Sequence, residues 1–393
     1  MNGYSFSVLP PLSLYIHIPW CVRKCPYCDF NSHAVKGELP EAAYVDALLR
    51  DLELDLPRVW GRTVESIFIG GGTPSLFSPA AIDRLLAGIR SRLPLKPGLE
   101  ITLEANPGTV EQQKFEGFRA AGINRLSIGV QSLDDEKLHA LGRIHSADEA
   151  RSAVKAARGA GFDNINLDLM SGLPQQTVTQ ALDDLQQTLA LEPEHLSWYQ
   201  LTLEPNTLFH SAPPPLPDDD LKWDMQSRGH ALLEASGYTQ YEVSAWAKPG
   251  RECRHNLNYW RFGDYLGIGA GAHGKISDAA AQAVFRTRRR RHPQDFLAAA
   301  GTMDALDGDT PVAENDAVFE FVLNKLRLRE GFSLADFSTA TGLPAGLIAP
   351  IIEQAVHDGL LQNDGGRILH TERGWRFLDD LVAYFLPGAA ADA

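Results

Sequence analysis

Cysteine is scarce: four residues in a chain of 393, with three of them at Cys21, Cys25 and Cys28 and the fourth far away at Cys253. That scarcity excludes a disulfide scaffold, and clustered thiols in a reducing compartment point to metal or catalysis. Long hydrophobic runs are also missing. No stretch approaches the roughly twenty uninterrupted apolar residues that a bilayer-spanning helix needs. The segment Met1 to Pro10 lacks the basic start, apolar run and small-residue cleavage site of a secretory signal, so a soluble cytoplasmic protein is expected. Positive charge is short as well, with 36 Lys and Arg against 50 Asp and Glu and a formal net charge of −14. A partner held by neutralising many phosphates is therefore not expected, and no nucleic acid is assigned. There is no internal repeat and no long low-complexity tract.

What is present is a large apolar fraction, 44% of residues with only 22% charged, enough to bury a sizeable core. Short apolar runs at Leu14–Ile18, Ser66–Ile69, Leu99–Leu103, Arg125–Val130, Asn164–Leu169 and His195–Leu201 alternate with helical patterns. Such alternation predicts β-α units on a parallel sheet, and six in succession predict an α/β fold of the partial (βα)6 barrel type rather than a doubly wound sheet. In parallel βα folds the chemistry sits at the carboxyl ends of strands. Cys21, the Gly70-Gly71-Gly72-Thr73-Pro74 run, Glu104, Gln131 and Asp168 all fall there.

The run from Pro213 to Asp220 breaks the pattern and is expected to lead out of the barrel, with a loop-rich stretch following through Gly274. From about Asp316, three helical patterns and a hairpin-like stretch around Asp364-Gly365-Gly366 predict a small α+β terminal domain resembling a winged helix. Its recognition region is not basic, which favours docking or a lid over DNA binding. The expected divisions are 11–212, 213–312 and 313–387.

In Cys21-Val-Arg-Lys-Cys25-Pro-Tyr-Cys28 the C-x3-C-x2-C spacing offers three thiolates, the soft ligands of iron-sulfur clusters. Three ligands leave one iron of a cubane open. A competing arrangement is a Cys3His zinc site completed by His17 or His33. Cys253, alone, reads as a buried apolar residue before it reads as a ligand.

This loop, with Tyr27 just before its last cysteine, resembles the radical-SAM superfamily. The stretches Tyr15-Ile-His-Ile-Pro-Trp-Cys21, Gly70–Pro74, Glu104-Ala-Asn-Pro107, Gly129-Val-Gln-Ser132 and Leu141-Gly-Arg143 are similar to the oxygen-independent coproporphyrinogen III oxidase group, from Leu14 to about Leu381. The resemblance implies a [4Fe-4S] cluster on Cys21, Cys25 and Cys28, with S-adenosylmethionine chelating the open iron. It further implies cofactor contacts from Tyr15, Tyr27, Gly71, Gly72, Thr73, Glu104, Gln131, Arg143 and Asp168. Glycines let backbone approach the methionyl amine, while Arg143 pairs with the carboxylate.

Two branches of that group differ. The oxidase branch extends its loop to C-x3-C-x2-C-x-C, where this chain has Phe30, and carries a longer amino-terminal segment. The other, HemW-like branch binds haem for delivery to an acceptor protein, and His255-Asn-Leu-Asn-Tyr259-Trp260 is similar to its H-N-x-x-Y-W motif. An imidazole can ligate haem iron while Tyr259 and Trp260 offer flat faces. The competing reading of the motif is a structural loop with His255 bonded to a carboxyl group. Cys253 and His273 rank below His255 as haem ligands. The arginines from Arg286 to Arg291 read as a solvated edge, or as a clamp for haem propionates. The expectation is thus a haem chaperone, with the oxidase as the alternative and a homodimer as its expected assembly.

Overall fold

All six apolar runs pair into one sheet: β1 (Leu12–Ile18), β2 (Val64–Gly71), β3 (Leu95–Ala105), β4 (Arg125–Gln131), β5 (Ile165–Ser171) and β6 (His195–Gln200). These come from a computed structural model that describes residues 3–108 and 112–386. Neighbours are parallel and follow chain order without reversing, the winding of a barrel rather than of a doubly wound sheet. Near-continuous burial explains why the strands read as apolar runs: every residue of β4 is buried, and all but Tyr15 in β1.

Between strands lie α1 (Glu41–Asp55), α2 (Pro79–Arg90), α3 (Phe115–Ala121), α4 (Asp135–Ala140), α5 (Ala147–Gly159) and α6 (Val178–Leu189). Their starts are written locally. Ser78 accepts from the Ala81 N–H ahead of Pro79, and Ser146/Glu149 and Thr177/Gln180 form reciprocal capping boxes.

The stretch expected to be loop-rich is instead ordered. Asp218 caps the 17-residue α7 (Asp219–Ala235), accepting from the Leu221 N–H at 2.9 Å. The Pro–Asp run thus introduces a helix that returns to the barrel. Gly229 explains how closely α7 packs, since a Cβ there would lie 1.9 Å from the Trp198 ring of β6. Then come β7 (Thr239–Glu242), β8 (Ala245–Ala247), α8 (Arg254–Trp260) and β9 (Asp264–Ile268). β9 lies parallel to β1 as a seventh parallel strand, and β10 (His273–Asp278), β11 (Ala283–Arg289) and β12 (Leu306–Pro311) continue the sheet antiparallel. At the other edge β8 and β7 follow β6, so the barrel stays open.

Beyond β12, α9 (Glu314–Lys325), α10 (Leu334–Thr341) and α11 (Ala349–His357) precede a hairpin of β14 (Leu361–Asp364) and β15 (Arg367–His370), with β13 (Phe332–Ser333) pairing to β15. The hairpin turns on Gly365 and Gly366, both at positive φ. This unit has its own apolar core, including Phe321, Phe337, Ile352 and Ile368, which also takes in Phe262 and Val284 from the barrel extension. Of the 313–387 division, residue 387 lies outside the described residues.

Candidate cluster and cofactor site

The cysteine loop leaves β1 and is held from below by the end of β2. The Gly72 N–H donates to the Ile18 carbonyl at 2.8 Å and the Thr73 N–H to that of Trp20 at 2.7 Å. Only glycine fits: a Cβ on Gly72 would sit 2.5 Å from the Trp20 carbonyl oxygen, and Gly71 has φ +116° with its Cβ position 2.5 Å from the His17 ring. Within the loop the Cys28 N–H donates to the Cys25 carbonyl. On its far side, Asn31 Nδ2 donates to the carbonyls of Ala270 and Arg291, both at 2.9 Å, tying the loop to the edge strands.

Cys21, Cys25, Cys28, Tyr27, Gly71, Gly72, Thr73, Glu104, Gln131, Arg143 and Asp168 all line one cavity of about 440 Å³ at the carboxyl ends of the strands. Residues not singled out from sequence complete it. Asn106 bridges the site, its Nδ2 donating to Thr73 Oγ1 and its Oδ1 accepting from Arg143 Nη2, each at 2.8 Å. Arg143 also donates to the Gly129 carbonyl at 2.8 Å and to Cys25 Sγ at 3.6 Å, while its buried Nε has no partner among the described residues. Gln131 adopts φ +70°, a strained conformation for a side chain of its size, and Tyr199 Oη donates to its Oε1 at 3.4 Å. Asn106 stands in the quoted Glu104–Pro107 stretch and was findable there; Tyr199 carried no local signal.

Burial sets the electrostatics. Glu104 is pushed up to about 7 by burial, with the Asp168 charge adding to it and the Gly71 N–H, 3.0 Å from Oε2, opposing. Asp168 is also raised by burial against bonds from Asn166, Ser197 and Ser127. Two sheltered carboxyls on one wall suit a cationic ligand with hydroxyl donors. Burial raises the Cys21 and Cys28 thiols too, so metal entry must release protons.

Three cysteine thiols on one loop around one cavity are the soft donor set that an iron-sulfur cluster uses. His17 has both ring nitrogens engaged, with Tyr15 Oη at 3.0 Å and the Asn31 carbonyl at 2.9 Å, and so offers zinc no lone pair. His33 Nε2 lies 3.4 Å from Asn31 Oδ1. Cys253 is fully buried, its thiol pushed up to about 12 chiefly by burial and its Sγ 3.7 Å from Glu100 Oε1.

His255 is not brought to this cavity. It is 1% exposed, with Nδ1 3.0 Å from Ser66 Oγ and Nε2 2.8 Å from Tyr259 Oη, and its backbone N–H donates to Glu100. Its partners are two hydroxyls rather than a carboxyl group, and burial first, then Arg125, pushes it down to about 3. To ligate haem it would have to leave this pocket. Trp260 lies under the Arg327 guanidinium at 4.4 Å. Tyr15 and Tyr259 instead line a second cavity of about 600 Å³ beside the first, sharing Phe30, Gly71 and Glu104 with it.

Residues 15–187 match the radical SAM superfamily, and residues 312–377 match the HemN C-terminal domain. The protein named heme chaperone HemW from Escherichia coli K12 is 54% identical over 96% of this chain and 99% of its own length. Its namesake from Haemophilus influenzae is 50% identical over 96% and 98%, and one from Mycobacterium tuberculosis H37Rv 35% identical over 96% and 95%. Among solved structures, the radical SAM enzyme coproporphyrinogen III oxidase (HemN) from Escherichia coli superposes with a TM-score of 0.80 at 25% identity, over 96% of this chain and 90% of that one. No helix among the described residues is long and apolar enough to cross a membrane. By near-full-length identity to these relatives, the chain belongs to the radical SAM superfamily and, within it, to the HemW family.

Proposed function

We propose that this protein is a cytoplasmic haem chaperone: it binds haem, carries a [4Fe-4S] cluster with S-adenosylmethionine on the open iron, and passes haem to an acceptor protein. The relatives at 54% and 50% identity bear the chaperone name, whereas the oxidase is at 25%. The observation that carries the choice is Phe30. It stands where the oxidase pattern has its further cysteine, 61% exposed on the wall between the two cavities.

Cys21, Cys25 and Cys28 would hold three irons, and the fourth supplies a Lewis-acidic site for the methionyl group. Gly71 to Thr73 present backbone to the amine. Arg143, lining the cavity beside Cys25, would meet the carboxylate, and Glu104, Gln131 and Asp168 the amine and ribose hydroxyls. Tyr27 closes the same cavity beside the thiols.

The test is anaerobic incubation of the reconstituted protein with coproporphyrinogen III, S-adenosylmethionine and a reductant. No turnover is expected, while haem binds close to one per chain. Sustained decarboxylation over many turnovers would replace this reading with the oxidase.

A further inference from the structure

Five arginines crowd the edge strands between Arg286 and Arg291, and their partners divide them. Arg286 pairs with Glu320, Arg289 with Asp51 and Asp55, and Arg290 donates to the Asp304 carbonyl. Arg288 and Arg291 are exposed, and among the described residues their guanidinium groups make no hydrogen bond or ion pair with a side chain. Both line the 600 Å³ cavity.

Facing them is an imidazole in the same condition. His273 opens β10 directly opposite Arg288 on β11, so the two side chains share a face of the ribbon. It is exposed, and neither ring nitrogen has a hydrogen-bond partner among the described residues. Glycines and a strand edge place this histidine, and its ring is left unused. The remaining walls are flat: Tyr15, Tyr259 and Tyr265, with Phe30 at the border with the cluster cavity. Two acidic residues, Asp307 and Glu104, also line the 600 Å³ cavity, Glu104 on the side shared with the cluster cavity.

Two unpaired guanidiniums, one unpaired imidazole and aromatic faces around one cavity match a planar apolar ring bearing two carboxylates and a metal centre. We propose that this cavity, and not the pocket of His255, is the haem seat, with His273 as the axial ligand and Arg288 and Arg291 holding the propionates. This rests on the haem reading above. It takes the ligand role away from a histidine whose two nitrogens are engaged and gives it to one whose nitrogens are open. The volume falls within the range of roughly 300–1,000 Å³ typical of ligand pockets. Haem seated there would border the cluster cavity through Phe30.

The test titrates ferric haem into the full-length, cluster-reconstituted chain, with absorption for affinity and electron paramagnetic resonance for the axial ligand. His273→Ala is expected to lose the imidazole signature and weaken binding by about tenfold or more, and the Arg288→Glu/Arg291→Glu pair to weaken it by about tenfold. For haem with esterified propionates, the arginine pair should change little. His255→Gln should keep the axial signature. These side chains are exposed and unpartnered, so circular dichroism should show the His273 and arginine variants folded. Bound haem with an unmoved spectrum in His273→Ala, or a signature lost in folded His255→Gln, overturns this assignment alone. A wild-type chain that binds no haem overturns the haem reading, and this seat with it.

Discussion

Cys21→Ala, Cys25→Ala and Cys28→Ala are each expected to leave the anaerobically reconstituted protein with almost no iron and sulfide, whereas Cys253→Ala is expected to retain both. The three thiols sit on one short loop around one cavity, and removing any of them leaves two, too few to retain a cubane. His17 is occupied on both nitrogens, and Cys253 lies in the core against Glu100. The loop is part-exposed and anchored through Asn31 and the Gly72 and Thr73 amides, so the chain should stay folded without its cluster. Iron and acid-labile sulfide per chain decide it. Full retention in any of the three loop variants, or loss in Cys253→Ala, contradicts the assignment.

Arg289→Met is expected to destabilise the chain by about 3–5 kcal/mol, against less than about 0.5 kcal/mol for Arg290→Ala. Arg289 is fully buried. Its Nε donates to Asp51 Oδ1 at 2.8 Å and its Nη2 to Asp55, fastening β11 to α1. Burial pushes Asp51 up to about 6 even with Arg289 beside it; Asp51 also accepts from the Gly269 N–H. Without the guanidinium Asp51 loses the charge that opposes its burial while Asp55 still stands beside it, and its folded-state pKa rises further above the unfolded one. A raised Asp51 carboxyl binds its proton more tightly in the folded state, so the loss should grow from about pH 5 to about pH 8. Urea unfolding at the two pH values measures it. Equal losses in Arg289→Met and Arg290→Ala would show that the buried pair is not what secures this edge.

That arginine run also marks where sequence reading stopped short. Read as a stretch, Arg286 to Arg291 is a solvated basic edge or, taken together, a clamp for haem propionates. As a strand it alternates: Arg289 turns inward to Asp51 and Asp55, while Arg288 turns outward to the cavity. By contrast, the six parallel strands and the strand-end placement of Cys21, Gly71, Glu104 and Gln131 were legible, because burial on both faces writes apolar runs and parallel folds put function at one rim, whereas Asp168 reaches the same cavity from the middle of β5 (Ile165–Ser171).

β9 was hidden for another reason. It pairs with β1 across about 250 residues, a contact that leaves no local trace. α7 was masked by the Pro–Asp run that caps it. At His255 the residue types agreed with haem chemistry, but only coordinates reveal that Ser66 and Tyr259 already take both nitrogens.

The most direct measurement is electron paramagnetic resonance of the reduced, reconstituted cluster with S-adenosylmethionine carrying a ¹⁵N-labelled amine. Hyperfine coupling from the label to the cluster is expected, since three cysteines leave one iron for the methionyl group. A reduced [4Fe-4S] spectrum unchanged by S-adenosylmethionine and free of label coupling would contradict an open iron at this site.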